Sequence, residues 1–154
     1  MKVKSNRLDI FKNILSVIFL VSVFCYLLFN WGNFPEQIPG HYNAAGVIDR
    51  WGSKVELLAF PIVAFILYLL ITLIERFPQI WNTGVNVNEE NKARVYATLK
   101  SMIVTVKLIT VVLFCYLFVM QSTATSLPSW FLPLFLILEF GSIAFYIVKL
   151  IRIK

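Results

Sequence analysis

Charge is what this sequence has least of. Of 154 residues only 14% are charged, while 59% are hydrophobic and 16% aromatic. A soluble domain carries roughly a quarter charged residues and needs no apolar runs of membrane length. Here such runs fill more than half the chain, which leaves no room for a separate soluble catalytic domain. Histidine is scarcer still, occurring once as His41, and cysteine occurs only as Cys25 and Cys115, both inside apolar runs. Such cysteines read as small apolar fillers rather than a disulfide framework. The sequence also has no HExxH, no glycine-rich phosphate loop and no serine or cysteine nucleophile beside a base. An enzyme is therefore the weaker expectation, and no cofactor is implied.

What is present is a set of long uncharged segments. A bilayer core about 30 Å thick needs ~20 apolar residues of helix. Four segments qualify, giving expected helices over residues 13–34, 57–75, 89–121 and 130–150. The uncharged stretch 108–138 is too long for one span, and Ser122-Thr-Ala-Thr-Ser-Leu-Pro128 supplies the break as a turn between antiparallel helices. The first span reads as an uncleaved anchor. Its apolar run is long, no small-x-small cleavage site follows it, and bulky Phe24 precedes Cys25 where lipoprotein processing prefers a small residue. The expected fold is an all-α membrane protein, a four-helix bundle in one domain, with a structured loop at 35–56 and a shorter one at 76–88.

Lysine and arginine set the expected orientation. Lys2, Lys4, Arg7 and Lys12 precede the first span; Arg76, Lys92, Arg94 and Lys100 lie between the second and third; Lys149, Arg152 and Lys154 close the chain. The 35–56 loop has only Arg50 and Lys54, offset by Glu36, Asp49 and Glu56, and residues 122–129 carry no charge. Basic segments stay inside, so both termini are expected in the cytoplasm and the 35–56 loop outside. The net charge of +6 is thus a topology signal facing anionic lipid, and nucleic-acid binding is not expected. Trp31, Trp81 and Trp130 fall at span ends, as interfacial aromatics do.

Two charges lie within the spans. Glu139 sits near the middle of the fourth, where a carboxylate is costly and is expected to face the bundle. Lys107, about two turns into the third, is expected to snorkel toward the headgroups, with a Glu139 pairing as the alternative. Asn86-Val-Asn-Glu89 has the spacing of a capping box, so the third helix is expected to begin near Glu89 and emerge from the membrane. Its charged face, Lys92 and Arg94, is expected to be solvated, with contact to headgroups or to a cytoplasmic regulator at residues 76–100 as the alternative.

The 35–56 loop carries the most specific signal. Pro35 and Pro39 restrict it, and Asn43, Gly46 and Gly52 permit tight turns. His41 and Asp49 are read as a local polar pair, with Asp49 docking at the free N–H groups of neighbouring helix starts. Such a pair would hold the imidazole in one orientation. It offers two weak metal ligands where a site typically takes three or four.

The string Pro35-Glu-Gln-Ile-Pro39-x-His41-Tyr-Asn43-Ala-Ala-Gly46-x-x-Asp49-Arg50-Trp51-Gly52-Ser-Lys54 resembles the signature of bacterial membrane proteins with domain of unknown function 1648. That domain also opens the immunity and signalling protein against the sporulation-delaying toxin. The resemblance implies a membrane immunity or sensory protein whose outer loop meets a toxic peptide or envelope signal. On it, His41, Asn43, Asp49, Arg50 and Lys54 are candidate functional residues, and Pro35, Pro39, Gly46 and Gly52 shape the loop; Glu139 joins the candidates through its depth in the fourth span and not through the resemblance. A homo-oligomer is compatible with it. The other reading is a small membrane-embedded metal- or proton-dependent enzyme or transporter component using His41, Asp49 and Glu139.

Overall fold

The computed structural model describes residues 3–153, so Lys2 and Lys154 of the charge balance lie outside it. Helix α1 runs Arg7–Asn30, α2 Ala59–Arg76, α3 Lys92–Ser122 and α4 Phe131–Ile151. Between α1 and α2 the chain forms a two-stranded antiparallel hairpin, β1 over Gln37–Tyr42 and β2 over Ile48–Ser53, followed by a 3₁₀ turn over Lys54–Leu58. Among the described residues, four helices are long and apolar enough to cross a membrane.

Local chemistry explains where these elements begin. Helix α1 starts six residues before its expected position because Asn6 and Asp9 form a capping box: the Asp9 N–H donates to Asn6 Oδ1 at 2.8 Å and the Asn6 N–H to Asp9 Oδ2 at 3.2 Å. Conversely, α3 starts at Lys92 and not at Glu89. Asn88 and Asn91 exchange side-chain-to-backbone bonds of 2.8 and 2.9 Å, which fixes residues 88–91 as the turn before the helix. The 122–130 connection begins with Ala124 at φ 52°, and the Thr125 N–H closes on Met120 O at 3.0 Å, satisfying an end carbonyl. Trp81 does more than mark an interface. Its indole N–H donates to Ile74 O at 2.7 Å, capping α2, and its ring stacks on Tyr96.

The all-α expectation is corrected by the hairpin. Its strands evade a period-two reading because Pro39 lacks an N–H and the register shifts on both sides of His41. What stabilises so short a sheet is burial: Ile38 is fully enclosed among Leu27, Phe34, Leu57 and Phe118 in the main core.

Helix α3 is the hub, packing against α1, α2 and α4. Its buried residues recur every three or four positions through Val95, Thr98, Ser101, Val104, Lys107, Val111, Cys115 and Phe118. The hairpin lies at the end of the bundle where α3 stops and α4 starts, and both described termini lie at the other.

Candidate functional site

The hairpin turn is organised by Asn43, whose Oδ1 accepts from the N–H groups of Ala45 at 2.9 Å and Val47 at 3.1 Å. Gly46 follows at φ 82°, with its carbonyl accepting from the Leu127 N–H at 2.8 Å. A Cβ at Gly46 would collide with the Leu127 carbonyl oxygen, so only glycine fits both the backbone and the contact. Beside it, the Tyr42 hydroxyl donates to Thr125 O at 3.1 Å. Burial pushes the Tyr42 phenol up to about 12, which keeps it a donor at neutral pH. Deeper in, the buried Gln121 Nε2 donates to Pro39 O at 2.8 Å. The hairpin is therefore bolted to the end of α3 and the turn after it.

The base of the hairpin is held by charged side chains. Arg50 donates to Gly40 O at 2.6 Å and to both Glu56 carboxylate oxygens at 2.8 and 3.3 Å. The Glu56 contact raises the Arg50 pKa further above its ordinary value. Glu56 also accepts from the Ser53 N–H, closing the capping box that opens the 3₁₀ turn. Gly52 leaves the space that the Glu56 carboxylate occupies. Lys54 reaches Glu36 at 3.3 Å and lies over the Trp31 ring at 5.4 Å. Pro35 leads the chain into β1, next to the buried Phe34.

His41 and Asp49 do meet, Nδ1 to Oδ1 at 2.7 Å, but in the open, with side chains 64% and 42% exposed. Among the described residues Asp49 docks on no helix start; Glu56 caps the turn into α2, and Gly46 and Tyr42 bond the connection before α4. An exposed pair of this kind contributes roughly 0–1 kcal/mol. Trp51, 53% exposed, lies in the same hairpin. Among the described residues no three His, Cys, Asp or Glu side chains gather as metal ligands.

The polar centre that sequence reading missed lies at the other end. Lys107 does not snorkel: it is 1% exposed and donates to Glu75 Oε2 at 2.6 Å and Thr72 Oγ1 at 3.2 Å, with the Tyr68 ring 5.2 Å away. Glu75 also accepts from Asn13 Nδ2 at 3.3 Å and has Lys100 at 3.9 Å. Alongside, Lys12 donates to Thr105 at 2.7 Å, and Asn6 to Ser101 at 3.1 Å. These contacts join α1, α2 and α3 in one network. The signal was the buried stripe of α3, in which Lys107 falls between Val104 and Val111.

Glu139 is half-buried and turned toward α3, where its carboxyl meets the Thr110 hydroxyl. Its Oε2 is shielded from solvent and has no hydrogen-bond partner among the described residues. The Lys107 pairing weighed for it is absent, because Lys107 faces α2.

The fold and these contacts define a multi-pass membrane protein of four helices with a hairpin fastened across one end of the bundle. The sequence profile of a domain of unknown function (DUF1648) matches residues 18–65, which is the second half of α1, the hairpin and the first turns of α2. An uncharacterized protein of the archaeon Archaeoglobus fulgidus is 37% identical over 76 residues, covering 44% of this chain and 42% of that relative. The chain thus matches less than half of that relative's length. No solved structure matches it.

Proposed function

We propose that this protein is an immunity or sensory protein of the bacterial cell envelope, with both termini in the cytoplasm and the hairpin outside, where it recognises a toxic peptide or envelope signal. The observation that carries the reading is the character of the hairpin. Ile38 and Pro39 are buried and anchor the hairpin, while Trp51, His41 and Asp49 are exposed to solvent. A loop that only joined two helices would need no such mounting. Exposed aromatics beside polar groups on a rigid support are what a recognition surface requires. The orientation rests on the basic residues gathered at the opposite end, and that end, residues 76–100, is where a cytoplasmic regulator would bind.

The test is survival of a sensitive bacterial host challenged with membrane-active peptide toxins, with and without this protein. Protection is expected with the unaltered chain, and its loss with Trp51→Ala or His41→Ala at unchanged membrane abundance. Protection unaffected by both substitutions would contradict a role for this face. The reading as a small proton-dependent transporter component has one observation in its favour, the unpartnered Glu139 oxygen within α4.

A further inference from the structure

The underside of the hairpin tip roofs a cavity of about 270 Å³ between α3 and α4. Tyr42, Gly46, Leu113, Leu117, Phe131 and Phe135 are among its walls, and the lining is overwhelmingly apolar. One helical turn further from the hairpin, the same α3–α4 seam continues as Thr110 after Leu113 and Glu139 after Phe135. Side chains on a helix lean toward its N-terminus. The N-terminus of α4 is at the hairpin end, so Glu139 leans toward the cavity. Of its two oxygens, Oε2 is enclosed and without a partner.

An enclosed acceptor that meets no donor is costly in a bilayer, and retaining a carboxylate there calls for a cationic or donor group. Thr110 reaches the carboxyl, but Oε2 is left without a donor: Gln121 is committed to Pro39 O, and Lys107 is engaged on the other side of α3. We infer that this cavity binds a small amphipathic amine, its apolar body between α3 and α4 beneath Gly46 and its ammonium on Glu139. The distance along α4 from Leu132 to Glu139 is about 10 Å at 1.5 Å per residue, which suits an alkyl chain of intermediate length. This site is separate from the exposed face of the hairpin, and a result on either leaves the other standing.

The probe is an eight-carbon alkylamine carrying an aliphatic diazirine, photolysed with the purified protein in phosphatidylcholine nanodiscs, and the labelled residues are read by mass spectrometry. Labelling is expected on α3 between Leu113 and Leu117 and on α4 between Phe131 and Glu139. It should fall about tenfold or more in Glu139→Gln, as loss of one partner of a desolvated charge pair predicts. Unlabelled octylamine should compete, and octanol at the same concentration should not. Equal competition by octanol, or undiminished labelling of Glu139→Gln, would overturn the inference and leave an acyl-chain groove of the bilayer. Should Glu139→Gln fail to fold, the competition on the unaltered protein decides alone.

Discussion

Lys107→Met is expected to destabilise the protein by about 3 kcal/mol, the lower end of the 3–5 kcal/mol for breaking a buried ion pair. Methionine fills the same volume, so the loss is electrostatic: Glu75 stays 11% exposed with its principal counter-charge gone. Lys100, 3.9 Å away, and the Asn13 amide recover part of the cost. The signature that separates this from ordinary packing damage is the double replacement Lys107→Met with Glu75→Gln. Removing both charges takes away the desolvation penalty together with the attraction, so the double variant should regain most of the loss. Thermal unfolding of the detergent-solubilised protein reads all three. A Lys107→Met melt indistinguishable from the parent would return Lys107 to the headgroup region.

The second large effect is expected at the hairpin tip. Gly46→Val places a β-branched residue at φ 82°, which alone costs about 1–3 kcal/mol. Its Cβ also strikes the Leu127 carbonyl, so the bond from the Leu127 N–H to Gly46 O must break. The tip should lift from the turn after α3, carrying Tyr42 off Thr125, while the four helices stay folded. Limited proteolysis should then cut between Asn43 and Val47 at a rate the unaltered chain does not approach, with helical circular dichroism unchanged. Equal protection in both proteins would mean that the tip is held by contacts other than these.

Most of the helical architecture was legible because a bilayer imposes length and apolarity on each span, and both can be read directly. What composition alone missed was side-chain specific. Asn6 and Asp9 cap α1, yet a span drawn from the last charge inward starts it at Asn13. Lys107 was judged by depth, and depth favours snorkelling; its place on the buried stripe of α3 decides otherwise, since Glu75 across the seam gives it a partner. The hairpin was legible as a constrained segment through Pro39, Asn43 and Gly46, but not as strands, because a proline and two register shifts erase the alternation. His41 and Asp49 were legible as a pair by their rarity. Which residues fasten the hairpin was not, because Gln121 and Leu127 come from the far side of the sequence and nothing local announces them.

The proposed orientation has the hairpin and the turn after α3 outside and the segment before α3 in the cytoplasm. It is tested most directly in intact cells, with Cys25 and Cys115 replaced by alanine and one cysteine introduced at exposed Ser126 or exposed Asn86. A membrane-impermeant thiol reagent should label Ser126→Cys in intact cells and Asn86→Cys only after the membrane is opened. Labelling of Asn86→Cys in intact cells, with Ser126→Cys protected until lysis, would contradict it.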